Sequence, residues 1–244
     1  MRKNKANVIK FYPFGENQAG FTPEPIPASK NIPDWYKRQV AEIKEATNYD
    51  YGQVGLTVKK CMPIFDAMTA GYYLLAPCDI FLDATGETLK YSVPMAVMAY
   101  KSDMFSSHDR KQYDEYPIDS ATEHKDLLRI MPFYSVETPP GYAALILNPM
   151  HGDTGPLRAV QGFIDTDKFI TDGHFSFVVK KNFKGIIKQG TPLAQVIPIR
   201  REDWEMQIVP QAEADKIIAK QRLKLRSMFT NGYKTLFRTP KVFK

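Results

Sequence analysis

His108, Asp109 and His124 are the first residues whose types could do chemistry, since two imidazoles and a carboxylate in one stretch could hold a transition metal. Their spacing matches no metal-ligand motif. The surrounding KSDMFSSHDRKQYDEYPIDSATEHKDLLR (residues 101–129) reads instead as a surface insertion, a long irregular loop of the kind that is functional or flexible. No metal or other cofactor is expected. Cys61 and Cys78 form no CxxC or Cys/His pattern and read as two small hydrophobes in strands. The remaining chemistry is electrostatic. From Gln211 to Lys244 nine Lys and Arg residues stand against Glu213 and Asp215, a net of +7, which leaves −1 for residues 1–210. Such a basic tail could meet phosphates, with Tyr233, Phe237 and Phe243 free to stack on bases and Arg238 among the cations. A solvated helix and arm with no nucleic-acid role is equally consistent.

The elements that would position these groups follow from pattern. Of the 244 residues 43% are hydrophobic and 25% charged, ordinary values for a globular protein with one large or two small cores. No apolar run approaches the ~20 residues that span a bilayer, so no membrane contact is expected. The opening MRKNKANVIKFYPFG has cations but no apolar stretch behind them, unlike a signal peptide. The low cysteine count suits a reducing compartment.

Four regions emerge. Residues 1–33 carry Pro13, Pro23, Pro25, Pro27 and Pro33, which predicts an extended arm. DWYKRQVAEIK (residues 34–44) has an N-cap candidate and helical spacing at Tyr36, Val40 and Ile43, which predicts a short amphipathic helix. Trp35 and Tyr36 there are either partner-docking anchors or packed on the protein's own core. From Leu56 to Ile199 short apolar runs alternate with Pro, Gly, Asn and Asp at intervals of roughly eight to twelve residues, the signature of a compact β barrel or sandwich. Strands are expected at 56–58, 72–75, 80–82, 91–100 and after Pro140. Last, Pro210 introduces an amphipathic helix with Ala214, Ile217, Ile218, Gln221, Leu225 and Met228 on one face, followed by an aromatic arm. The domain reading is an arm and helix over 1–50, a β domain over 51–209 and a basic segment over 210–244.

Several runs in the β region resemble the motifs of the dUTPase and dCTP-deaminase superfamily. Ala70-Gly71-Tyr72-Tyr73-Leu74 stands where those enzymes have AGYDL, and Pro140-Gly141-Tyr142 resembles the turn before their second motif. Gly162-Phe163-Ile164-Asp165 and Gly190-Thr191-Pro192-Leu193-Ala194-Gln195 resemble the third and fourth. The resemblance covers roughly Met68 to Ile199. It implies a mainly β fold, a dUTPase-like barrel or jelly-roll core with a short N-terminal helix, a C-terminal helix and terminal arms. It also implies that Asp165 sits where the water-activating carboxylate belongs.

The departures fall on the chemistry. Hydrolysing a nucleoside triphosphate needs carboxylates for Mg²⁺ and donors for the phosphates. Tyr73 replaces the first-motif carboxylate, Leu147-Asn148-Pro149-Met150 replaces an Arg-Ser pair, and Lys168 replaces the sugar-stacking tyrosine. The Gly-rich closing segment and the deaminase glutamate are missing. Asp165 is expected to be a turn residue whose carboxylate accepts backbone N–H groups.

The whole chain, through PIPASKNIPDWYK, VKKCMPIFDAMTAGYYLLAPCDI and KGIIKQGTPLAQVIPIRREDW, resembles a family of uncharacterised tailed-phage proteins. This implies a viral protein with a dUTPase-like core, and the replaced reactive positions with the two flanking arms favour a non-enzymatic structural protein in the virion or host cytoplasm. Its partners would be other virion proteins and further copies of itself, a trimer being one option, and its basic segment could touch nucleic acid. The competing reading is a nucleotide-binding or nucleotide-hydrolysing protein with Asp165 as base and Arg158, Lys168 or Lys180 on phosphate.

Overall fold

In the computed structural model of this chain, residues 7–13, 22–48, 53–95, 104–131, 133–153, 155–170, 174–228 and 231–244 are described. The chain runs β1 (Lys10–Pro13), β2 (Ile26–Pro27), α1 (Asp34–Arg38), β3 (Glu42–Asn48), β4 (Gln53–Leu56), α2 (Met62–Thr69), β5 (Tyr72–Leu75), β6 (Ile80–Asp83) and β7 (Lys90–Ser92). Then come β8 (Phe105–Ser107), β9 (Glu123–Ile130), β10 (Tyr134–Glu137), β11 (Tyr142–Leu147) and β12 (Leu157–Ala159). The last strands are β13 (Gly162–Ile164), β14 (Phe175–Lys180), β15 (Lys184–Ile187) and β16 (Pro192–Arg200). Helices α3 (Gln211–Arg226) and α4 (Gly232–Leu236) follow.

The fold is mainly β and antiparallel. A five-stranded sheet has the order β13-β11-β16-β5-β2, a four-stranded sheet β12-β14-β9-β8 and a three-stranded sheet β15-β6-β7. Two further pairs join β1 to β10 and β3 to β4. The main core lies between the four- and three-stranded sheets, where Ile80, Leu82, Leu128, Ile130, Phe177 and Val179 are all buried. A second cluster, Leu74, Ala144, Ile146 and Val196, backs the five-stranded sheet. Both follow from the period of two: in β6 Ile80 and Leu82 are fully buried while Phe81 and Asp83 are not.

Closure into one barrel does not occur among the described residues, since every sheet keeps two edge strands. The expected helix over 34–44 stops at Arg38, and Glu42 begins a strand paired with β4. A helix of one or two turns survives only on tertiary packing, and Val40 and Ile43 stay exposed. The strand expected at 56–58 ends at Leu56, because the Thr57 side chain accepts the Lys59 N–H and starts a 3-10 turn. The strand expected over 91–100 ends at Ser92, with 96–103 outside the described residues. The last third of the 101–129 insertion is β9, which lies between β14 and β8. Buried polar His124 and Asp126 had hidden its alternation. Helix α2 was not anticipated at all; its signal is Pro63 in the first turn.

Candidate partner-binding site

Strand β16 runs through the middle of the five-stranded sheet and delivers the chain to Arg201. The Arg201 guanidinium donates to Asp165 Oδ1 at 2.6 Å and to Asp167 Oδ1 at 2.8 Å. The other Asp167 oxygen accepts the Gly141 N–H at 2.9 Å. Three segments therefore meet on one cation: the turn after β13, the Pro140-Gly141 turn and the end of β16. Arg201 holds the Asp167 carboxyl below the usual carboxylate range, and the two carboxylates, Asp167 first, raise Arg201 above its ordinary value. Asp165 does make the turn, but through its carbonyl oxygen, which accepts the Lys168 and Phe169 N–H groups at 2.9 Å. The expectation that its carboxylate would take those bonds is corrected: the carboxylate is engaged by arginine.

Beyond this clasp the chain leaves the body. Residues 202–210 belong to no helix or strand and every one is exposed. Trp204, Met206 and Ile208 are 85%, 89% and 84% exposed, and in sequence they alternate with Asp203, Glu205 and Gln207. Helix α3 forms where Pro210 and helix-favouring residues predicted it, yet buries none of its residues. Its apolar Ile217, Ile218, Leu223 and Leu225 are 40–72% exposed. Contiguous uncovered apolar stretches are uncommon on monomeric globular proteins.

The chain then returns. Arg238 grips Asp66 in α2 with Nη2 to Oδ1 at 2.7 Å and Nε to Oδ1 at 3.0 Å, while Lys241 reaches Oδ2 at 3.0 Å. Phe243 packs edge-on against Tyr72 with ring centroids 6.0 Å apart. Arg238, and secondarily Lys241, hold the Asp66 carboxyl below its usual range. A depressed carboxylate contributes stability that is complete above its unfolded pKa of about 3.9 and is lost as pH falls through the folded value. Docking of residues 231–244 is thus expected to be flat from pH 7 to about 5 and to fail below about 4. Arg238→Ala is expected to loosen the segment at pH 7, since it removes the first-named of the two cations that hold Asp66. Hydrogen exchange of 232–244 against pH measures both.

The other sequence candidates scatter. Tyr36 is not a docking anchor: it is 5% exposed, donates to the Lys59 carbonyl at 3.1 Å and packs on Phe65. Trp35, 36% exposed, donates its indole N–H to the His151 carbonyl at 2.7 Å. Arg158 in β12 pairs with Glu123 at 2.7 Å. Lys180 ends β14 in that same sheet, whereas Lys168 sits in the turn beside Asp165 on the other. The three cations therefore do not surround Asp165. Tyr233 is 43% exposed, and Phe237 is half-buried.

His108 Nδ1 faces Gln112 Oε1, Asp109 caps the following 3-10 turn, and His124 is buried with contacts to Gly86 and Asp126. Among the described residues no three His, Cys, Asp or Glu side chains converge as a metal site. Cys78 is buried in the core, its thiol pushed up to about 11 by burial and by Asp79. Neither it nor Cys61 lies in a strand.

The residues that sequence reasoning passed over are Arg201, Asp167, Asp66 and the Trp204-Met206-Ile208 row. Only the last had a local signal, the alternation of polar and apolar residues from Asp203 to Ile208. No described helix is long and apolar enough to cross a membrane. No protein-family model, curated protein or solved structure matches this chain.

Proposed function

We propose that this chain is a non-enzymatic structural and interaction protein, virion-associated in a tailed phage, on a dUTPase-like β core. Residues 202–226 are its main partner-binding segment. The observation that carries the reading is the exposed row Trp204, Met206 and Ile208, 84–89% accessible on a segment anchored at both ends. Aromatic and long apolar side chains of this type dominate binding energy once covered. The core reading is supported by position. The AGYYL, PPGY, GFID and GTPLAQ runs begin or end β5, β11, β13 and β16, four neighbours of the five-stranded sheet.

The phosphohydrolase alternative gains no such support, because Arg201 pairs with the Asp165 carboxylate and two of the three phosphate candidates, Arg158 and Lys180, belong to another sheet. The cations of α3 are exposed and available to a polyanion, whereas the Phe243 ring is occupied by Tyr72. Two measurements test the proposal. Proteomics of purified particles is expected to find the chain; its absence from them ends the virion reading. The triple substitution W204D/M206D/I208D is expected to weaken partner binding at least about a hundredfold. Because these side chains are solvated, folding stability is expected to stay within about 0.5 kcal/mol. Nucleoside triphosphates with Mg²⁺ are expected to give neither turnover nor a thermal shift.

A further inference from the structure

Helix α3 carries an interlocking seam that its own chain leaves uncovered. Ala214, Ile218, Gln221 and Leu225 are separated by four, three and four residues, the a and d spacing of paired helices. The helix has 16 residues, about 24 Å of length, and none of them is buried. Ile217, Ile218 and Leu225 are 40–51% exposed. At the far end Gly232 of α4 comes up against Met228 and one edge of Leu225. The open part of the seam therefore runs from Gln211 to Leu225.

Two charges beside the seam say what covers it. Asp215 and Arg222 lie seven residues apart, so they occupy the same heptad position, e, with opposite sign. Neither finds an opposite charge within α3. Asp215 has Gln211, Ile218 and Ala219 as its neighbours one turn away, and Arg222 has Ile218, Ala219, Leu225 and Arg226. The Asp215 carboxylate accepts only the Gln211 amide, at 2.8 Å. Arg222 makes no ion pair or hydrogen bond among the described residues.

Orientation decides whether these charges can meet on a second copy. In a parallel pair e faces g, which sets Arg222 against Ile217 and Asp215 against Pro210. In a reversed pair e faces e, and a sequence with opposite signs at one position complements itself. The layers agree. Reversal sets small Ala214 against leucine and Ile218 against glutamine, whereas a parallel pair stacks alanine on alanine. Large against small is the arrangement that fills a seam.

We infer that α3 pairs with α3 of a second copy, antiparallel about a two-fold axis, Asp215 of each copy meeting the partner's Arg222. The same surface then serves both copies, as a two-fold interface requires. Each carboxylate also relieves the like charges of Arg222 and Arg226 one turn apart. Lys216, Lys220 and Arg226 stay on the outer positions of the pair. The inference names the occupant of α3 and rests on the partner-binding reading of residues 202–226.

The test is sedimentation equilibrium of the full chain alone. Four layers fall short of three heptads, so the dissociation constant is expected at about 10–100 μM and the series runs to about 500 μM. Wild type is expected to follow a monomer–dimer equilibrium, and Ile218→Asp to pair at least about tenfold more weakly. Asp215→Arg and Arg222→Asp are each expected to lose about tenfold, because each sets like charges against one another. Their equimolar mixture is expected to recover to within about threefold of wild type. One copy then carries arginine at both positions and the other aspartate at both, and mixing cannot rescue a variant that had merely failed to fold. A wild-type chain that stays monomeric, a trimer, an Ile218→Asp chain that still pairs, or a mixture no tighter than its components each overturns the inference. A monomeric wild type leaves the partner-binding reading itself to the particle proteomics.

Discussion

Gln195→Ala is expected to cost about 3–5 kcal/mol and to lower the thermal midpoint by roughly 10 °C. The Gln195 side chain is fully buried, and its amide is satisfied on both ends. Oε1 accepts the Met150 N–H at 2.7 Å, while Nε2 donates to the carbonyls of Ala67 at 3.0 Å and Ala70 at 2.6 Å. Those two carbonyls belong to the last turn of α2 and its cap, where the Ala67 oxygen otherwise takes the long 3.4 Å bond from the Ala70 N–H. One side chain thus ties β16 to the loop after β11 and to the end of α2. Alanine removes three hydrogen bonds, strands buried groups at about 1–3 kcal/mol each before relaxation, and leaves a cavity. Gln195→Leu fills most of the volume and isolates the polar part, so it is expected to remain at least about 2 kcal/mol below wild type. Gln195→Glu should be worse than leucine at neutral pH, since a carboxylate cannot donate to two carbonyls and would be a buried charge. Urea unfolding of the three variants checks the order; a leucine variant as stable as wild type would remove the amide from the account.

Gly71→Ala is expected to be the most damaging glycine-to-alanine change among the glycines whose surroundings are described. Gly71 has φ +67°, and an added Cβ would lie 2.0 Å from the Val196 carbonyl oxygen and 2.9 Å from its carbon. Backbone cannot swing aside as a side chain does, so β5 would have to separate from β16. Gly141 provides the control. Its φ is +84°, but nothing lies within 4 Å of its added Cβ. Gly141→Ala should therefore cost only the left-handed strain, about 1–2 kcal/mol, and yield soluble protein. Gly71→Ala should cost at least about 4 kcal/mol, near the whole stability of an ordinary domain, and accumulate as unfolded or insoluble chain. Equal losses at the two glycines would refute the close-approach argument.

These two residues explain what the motif-like runs accomplish in this protein. AGYYL supplies Gly71, and GTPLAQ supplies Gln195 and the strand that Gly71 touches. Tyr73, at the position where the resemblance expects a carboxylate, is 1% exposed and donates its hydroxyl to the Met68 carbonyl at 3.2 Å. The runs converge as a packing junction of α2, β5, β11 and β16. Asp165 is spent in the same structural manner, as an anion for Arg201 at the root of the projecting segment.

The sequence by itself determined the elements whose cause is local. Short apolar runs bounded by Pro, Gly, Asn and Asp placed β5, β6, β11 and β16, Pro140-Gly141 and Asp165 marked turns, and Pro210 with its helix formers started α3. It misplaced elements whose fate depends on what covers them. Tyr36, Val40 and Ile43 have helical spacing, but only Tyr36 finds a core, so the helix ends after five residues. β9 was hidden because His124 and Asp126 look like solvent-facing residues until their partners arrive from elsewhere in the chain, such as Gly86, Leu89 and Arg110.

Only the tertiary structure decided the site. Arg201 and Asp165 lie 36 positions apart and Arg238 and Asp66 172 positions apart, pairings that no local pattern encodes. The amphipathic face of α3 was legible, but an apolar face normally implies a core beneath it, and here no residue of the helix is buried. Periodicity fixes which residues share a face. Whether that face is buried depends on distances that long-range ion pairs set, and in this chain they leave Trp204, Met206 and Ile208 in water.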